Sequence, residues 1–371
     1  MKYFTLCFSL LFLQANAQTI TDEDLAYRWA PIHYQDTDNS NAKADFITRV
    51  DYDGDYICTN NWENLDKGDL AAYVYYSVVE TSTTWFIVYA FYHPRDWTDH
   101  SFDQEHENDM EGLLEIIKKD GTTYGQMQAM ITVAHNDFYS FNVPGSGLSN
   151  GHEDIDGIVS FQSYDGDMHP KTSEEPKGHP IKAFPYISDF HGNANEDGII
   201  YFPSKTTAEI PSSGNDRDVK YKLLNFQTFN LWLLQIFESL QTRDKANTFA
   251  KWGTLKGDEG GSCGDGITVT CAEDAAHLPW GWDDEDDGPN YAGALAIDPA
   301  SLVSYYFSGL GNFSLKYTRN KYISDLKAQG FTNTFKPNGW PSQVNFTDLF
   351  AKLAPVLIIH TPARTDVQIR N

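Results

Sequence analysis

Short runs of β-branched and aromatic residues, recurring between Asp69 and Tyr201, constrain this chain more than any other feature. Residues 70–79 (LAAYVYYSVV) and 84–92 (TWFIVYAFY) are the clearest, each of strand length and each bounded by charged or Pro-containing breaks. Residues 112–117, 126–134 and 158–161 continue the series at the spacing of a sandwich of short strands. The expected fold is therefore mainly β, an antiparallel β-sandwich with helical and loop elaborations in the C-terminal part. After Asp216 the periodicity changes. Residues 221–240 suit a helix, Asp298-Pro299 reads as an N-cap with Pro at the first helical position, and residues 347–353 suit a further short helix. No Pro/Gly/Ser-rich linker separates the two parts, so residues 18–215 are expected to form the sandwich and residues 216–371 an elaboration packed on it. With aromatic residues at 14% of the chain, disorder is excluded for most of its length.

Residues 1–17 differ from the rest. Lys2 supplies a short positive region, residues 3–13 an apolar stretch and Ala15-Asn16-Ala17 a small-x-small cleavage site, which is the pattern of a secretory signal peptide. Eleven apolar residues fall short of the roughly 20 needed to span a bilayer, and no later segment reaches that length without charge. The chain is expected to be secreted, with no transmembrane segment. In an oxidising compartment Cys263 and Cys271, which bracket a Gly-Asp-Gly turn, are expected to form a disulfide, leaving the partner of Cys58 open. Two N-glycosylation sequons begin at Asn312 and Asn345. The 52 acidic residues against 27 Lys and Arg give a net charge of −25 with no compensating basic block, which excludes docking on a nucleic-acid backbone.

Chemistry concentrates in two adjoining stretches, residues 89–96 (YAFYHPRD) and 105–112 (EHENDMEG). In an extended segment Asp109 and Glu111 share a face, so two carboxylates converge on one ion while Met110 points away. His106, three residues before Asp109, faces the other way in a regular strand, and joining the group demands a local departure from regular backbone. An imidazole with two or three carboxylates suits a hard divalent cation, Mg²⁺ or Ca²⁺ above all, with Mn²⁺ and Zn²⁺ compatible. Three Asp-rich loops, at residues 51–55, 165–167 and 283–287, read mainly as solvated turns; the last, flanked by Trp280 and Trp282, is the most shaped. His93, His152, His169 and His179 read as core or rim histidines.

The pair of stretches resembles the tyrosine-rich strand and the His-x-x-Asp-x-Glu signature of the necrosis- and ethylene-inducing-like secreted proteins and their vacuolar-sorting-associated relatives. The resemblance covers about residues 84–193. It implies a compact β-sandwich holding a divalent cation at one end, and by motif position it implies Asp96, His106, Asp109 and Glu111 as the ligands. Thr132-Val133-Ala134-His135-Asn136 is similar to a later Ser-Ala-His-Gly strand of the family, and His179-Pro180 with Tyr186 and Asp189-Phe190-His191-Gly192 is similar to its His-Pro segment. His135, Asp189 and His191 are thereby candidates to orient ligands or contact a bound molecule.

Three functions stay open on the sequence. The first is cation-dependent recognition of a glycan or lipid headgroup on a cell surface, extending to cytolysin-like damage. The second is metal-dependent hydrolysis of a phosphoester or similar bond, with His135 or His191 as general base. The third is a secreted sandwich with structural cations. No phosphate-binding Gly-rich loop or catalytic-cysteine signature is present, and no covalent nucleophile is expected.

Overall fold

The computed structural model describes residues 20–38, 40–97, 105–135, 137–185, 198–228, 231–241, 248–257, 276–286, 288 and 292–328. The expected signal peptide, the Cys263–Cys271 pair, Asp189, His191, the sequon at Asn345 and the expected helix at 347–353 lie outside the described residues.

Helix α1 (Asp22–Trp29) leads into β1 (Ile32–Gln35), and the single turn α2 (Asn61–Asn64) precedes the longest strands. These are β2 (Tyr73–Thr81), β3 (Thr84–Asp96), β4 (His106–Lys118), β5 (Gln126–Ala134) and β6 (Asp137–Asn142). Then follow β7 (Ser149–Asn150), β8 (Gly157–Ile158), β9 (Phe161–Tyr164), β10 (Asp167–Glu174), β11 (Ile181–Ala183), β12 (Ile199–Ser204) and β13 (Val219–Asn225). The C-terminal part supplies α3 (Leu231–Gln241), β14 (Phe249–Lys251), β15 (Thr254–Leu255), α4 (Ala294–Ile297), α5 (Pro299–Tyr306), β16 (Phe307–Ser308), β17 (Tyr317–Arg319) and α6 (Lys321–Ala328).

The fold is mainly β, but the expected antiparallel sandwich is corrected to one large mixed sheet of order β11-β10-β1-β12-β13-β2-β3-β4-β5-β6-β8. From β2 to β6 the pairing is antiparallel, as the alternating runs predict. Elsewhere β1/β10, β12/β13, β13/β2 and β6/β8 run parallel. Those partners are joined through long excursions, so nothing local in the sequence sets their direction. A second correction falls on residues 221–240, expected to be one helix. Alternating burial from Val219 to Tyr221 to Leu223 makes the first part the interior strand β13, and the helix begins only at Leu231. At Pro299 the expected helix start is observed. The loop at residues 165–167 is the tight turn of a hairpin, with Asp165 and Gly166 both at positive φ between paired Tyr164 and Asp167.

The sheet curls so far that β11, at one edge, packs against β5 and β4. This makes a half-barrel with two unlike faces. On the convex face Met110, Leu114 and Ile116 of β4 lie under the C-terminal elements, and the Trp282 indole N–H donates to the Met110 carbonyl at 3.1 Å. Trp232, Trp280 and Tyr322 stack edge to face beyond it, with the Tyr322 hydroxyl donating to Ser77. Each such fully buried side chain contributes roughly 1.5–3 kcal/mol. The concave face is unusual for a core. Residues opposite in the ladder share a face, so Tyr89, Phe91 and His93 of β3 look inward with Leu113, Glu111 and Asp109 of β4. His33 of β1 meets them across the curl, its ring stacked on Phe91 at 4.3 Å. Among the described residues no helix is long and apolar enough to cross a membrane.

Candidate functional site

At one end of the half-barrel the β3/β4 ladder closes with Asp96 opposite His106 and His93 opposite Asp109. The departure from regular backbone that His106 demands is present. Asn108 has φ 64°, a left-handed conformation that breaks the alternation between His106 and Asp109. It is fixed from both sides. The Asn108 amide donates to the carbonyls of Cys58 and Lys256, its side-chain oxygen accepts from Tyr92 and Asn61, and its own carbonyl accepts from His106 Nδ1 at 2.7 Å. With its proton committed to that carbonyl, a neutral His106 presents a bare Nε2, which lies 3.6 Å from Asp96 Oδ2.

Asp109 and Glu111 follow on the concave face, both buried. Asp109 Oδ1 accepts from the Met110 amide and Oδ2 from His179 Nδ1, each at 2.8 Å. Glu111 Oε1 accepts from the His135 amide at 2.9 Å, while Glu111 Oε2 is buried with no hydrogen-bond partner. His135 follows β5 at φ 60° with its side chain 60% exposed, its ring 3.9 Å from the Glu111 carboxylate. Gly178 roofs the group: a Cβ there would come 2.8 Å from His135 Cε1 and 3.8 Å from Asp96 Oδ2. Thus Asp96, His106, Asp109, Glu111 and His135 lie at one open end.

Sequence reasoning missed the second half of this end. His179, read as a core histidine, is fully buried and bridges Asp109 and Asp45, its Nε2 donating to Asp45 Oδ1 at 3.1 Å. Asp45 was not singled out at all. Its carboxylate is saturated, accepting also from the Lys177 amide, the Trp97 indole and the Asp38 amide. His93 stacks flat on His179, centroids 3.8 Å apart and planes at 7°, and reaches Glu174 of β10, which also binds His33. Backbone conformation sets this end apart in the structure. Asn108, His135, Lys177 and His179 are four of the five non-glycine residues with positive φ among those described, and all four sit here. Such conformations cost of order 1–3 kcal/mol each and persist where the surroundings over-determine them.

The electrostatics follow from the geometry. Burial, and next the Asp109 charge, push the Asp96 carboxyl up to about 7. The same two causes, in the same order, push Glu111 well above the usual carboxylate range. Burial opposes ionisation of Asp109 too, but the His179 hydrogen bond and charge outweigh it and hold Asp109 at about 2. For His179, burial works against the charge, yet its bonds to Asp109 and Asp45 keep it protonated well above its ordinary range. Asp96 and Glu111 are therefore held back from ionising beside Asp109, whose charge the buried imidazolium of His179 balances, and a cation entering here would displace their protons.

A divalent cation fits these residues. Glu111 Oε2 is an orphaned acceptor, Asp96 accepts no hydrogen bond from the described residues, and His106 Nε2 offers a lone pair. A tighter acidic group lies nearby at the start of β6. Asp137, Asp284 and Asp286 bring one oxygen each within 4.8 Å of one another, closer than the motif residues come. Asp284, from the expected shaped loop, is buried and already accepts from the Phe138 amide and the Tyr306 hydroxyl. The other histidines are remote from the open end in their contacts: His169 donates to the Ala30 carbonyl, and His152 stacks on Tyr305.

No family model matches the sequence, and no curated protein does. The chain is similar in part to solved structures of necrosis and ethylene inducing proteins. Protein 2 from the causal agent of cocoa's witches' broom disease is 16% identical over 45% of this chain and 70% of that one, with TM-score 0.26. The HaNLP3 protein, described as non-toxic, is 13% identical over 45% of this chain and 71% of that one, with TM-score 0.25. NLPPya in complex with glucosamine is 16% identical over 30% of this chain and 44% of that one, with TM-score 0.19. Likeness at this level transfers no activity.

Proposed function

We propose that this is a secreted, divalent-cation-dependent recognition protein. Asp96, His106, Asp109 and Glu111 hold Mg²⁺ or Ca²⁺ at the open end of the half-barrel, and the ion meets a glycan or lipid headgroup. The observation that carries the reading is Glu111 Oε2, a buried carboxylate oxygen with no donor, beside carboxyls whose mutual repulsion a cation relieves. The looser spacing of the four suits an ion that keeps part of its water shell, as Mg²⁺ does. Such an ion exchanges water for sugar hydroxyls or headgroup oxygens. It also places a local positive charge on a chain whose net −25 otherwise repels an anionic surface. His135, exposed at the rim, is placed to contact the bound group.

The test is calorimetric titration of Mg²⁺, Ca²⁺ and Mn²⁺ into wild type and Glu111→Gln. Glycan-array and liposome binding are measured with and without chelator, and released phosphate and reducing sugar are assayed in parallel. Wild type should bind one ion, Glu111→Gln should lose about tenfold or more in affinity, and ligand binding should follow the ion. Ligand binding that survives both chelator and substitution sinks the reading. Cation-dependent turnover would replace recognition by hydrolysis, with the exposed His135 imidazole as the candidate base.

A further inference from the structure

We propose that Glu174 is held as a neutral carboxylic acid and is a positioning residue for the open end. Glu174 ends β10 and its side chain is wholly buried between two imidazoles, Oε2 2.8 Å from His33 Nε2 and Oε1 3.1 Å from His93 Nε2. Its protonation follows from its neighbours. His179 donates from both ring nitrogens to carboxylates, so it is an imidazolium. A second imidazolium stacked 3.8 Å away would face it with like charge in a low-dielectric interior, so His93 is neutral. The nearer hydrogen-bond partner of His93 Nδ1 is the Asp45 carbonyl oxygen at 3.0 Å, which only accepts; the Gln35 amide nitrogen stands farther off at 3.4 Å. The single proton of His93 is therefore on Nδ1, and Nε2 turns a lone pair toward Glu174. That contact needs a proton on the acid.

One consistent chain results, each group donating to the next. The Thr172 hydroxyl donates to His33 Nδ1 at 2.9 Å, His33 Nε2 to Glu174 Oε2, Glu174 Oε1 to His93 Nε2, and His93 Nδ1 to the Asp45 carbonyl. Burial favours this state, pushing Glu174 up. The consequence is mechanical. Glu174 fixes the plane of His93, His93 supports His179, and His179 sets the carboxylate of Asp109. Glu174 touches no bound group itself.

The role at the open end rests on the cation reading; the protonation state does not. Glu174→Gln discriminates, because an amide can accept from His33 and donate to His93 as the neutral acid does, whereas Glu174→Ala can do neither. Side-chain ¹⁵N spectra of wild type should show His93 neutral and protonated at Nδ1, and His33 neutral and protonated at Nε2. Glu174→Gln should keep both signatures, the melting temperature, and an Mn²⁺ affinity within about threefold, while Glu174→Ala should lose on the order of tenfold. Imidazolium signals from His93 or His33, or a Glu174→Gln protein as impaired as Glu174→Ala, would overturn the proposal. Wild type that binds no cation refutes the recognition reading, and the ¹⁵N spectra still decide the protonation of Glu174.

Discussion

Replacing Glu115 by leucine should stabilise the protein. Glu115 is fully buried on the concave face of β4, opposite Ile87 of β3 and Met130 of β5, and neither carboxylate oxygen has a hydrogen-bond partner. The hydroxyls that feel its charge cannot help, because Tyr89 donates to the Ala26 carbonyl at 2.6 Å and Tyr221 to the Pro31 carbonyl at 2.7 Å. An unsatisfied buried polar group costs about 1–3 kcal/mol, and leucine fills a similar volume without opening a cavity. The expected gain at pH 7 is of that size, which for a chain this large is a rise of roughly 2–6 °C in melting temperature. Burial raises the Glu115 pKa well above the ordinary value, with Arg28 opposing weakly. A raised carboxyl pKa means the folded state keeps a proton that the unfolded state releases. The penalty is therefore absent below the ordinary carboxylate range and grows as pH rises through it toward the folded value. Urea midpoints at pH 4 and pH 8 test this: the advantage of leucine at pH 4 should reflect only the unsatisfied neutral acid and should be larger at pH 8, while Glu115→Gln should show no such widening. A leucine variant less stable than wild type at pH 7, or an advantage equal at both pH values, refutes the reasoning.

His179→Ala should cost about 3–5 kcal/mol in urea denaturation with chelator present, because it strands Asp45 and Asp109 as buried charges without their shared cation; a loss below about 1 kcal/mol would show that water compensates them. Gly112→Ala should cost about 1–3 kcal/mol, since the added Cβ would stand 2.2 Å from the Tyr89 carbonyl oxygen and 2.4 Å from Trp282 Cη2. An unchanged urea midpoint would mean that the convex face yields where the Trp282 packing says it cannot.

Where strands run was legible locally, because strand formation depends on β-branched and aromatic side chains alternating over a few residues. The run at 126–134 is β5 to the residue, and 84–92 opens β3. Strand parity also placed Asp109 and Glu111 on one face, and the requirement that His106 needs irregular backbone is met by Asn108 at positive φ. The polar interior was not legible. His33, Asp45 and Glu174 come from β1, a loop and β10 with no neighbour in sequence that marks them as functional, and His93 and His179, although they fall inside the stretches that carry the resemblance, carry no pattern that separates them from core histidines. They meet because parallel pairings far apart along the chain curl the sheet until its edge returns to β5. A polar residue alone reads as surface. Only the curl supplies the partners that let a buried imidazole or carboxyl satisfy its hydrogen bonds, and so only the tertiary structure decides which histidines belong to the site.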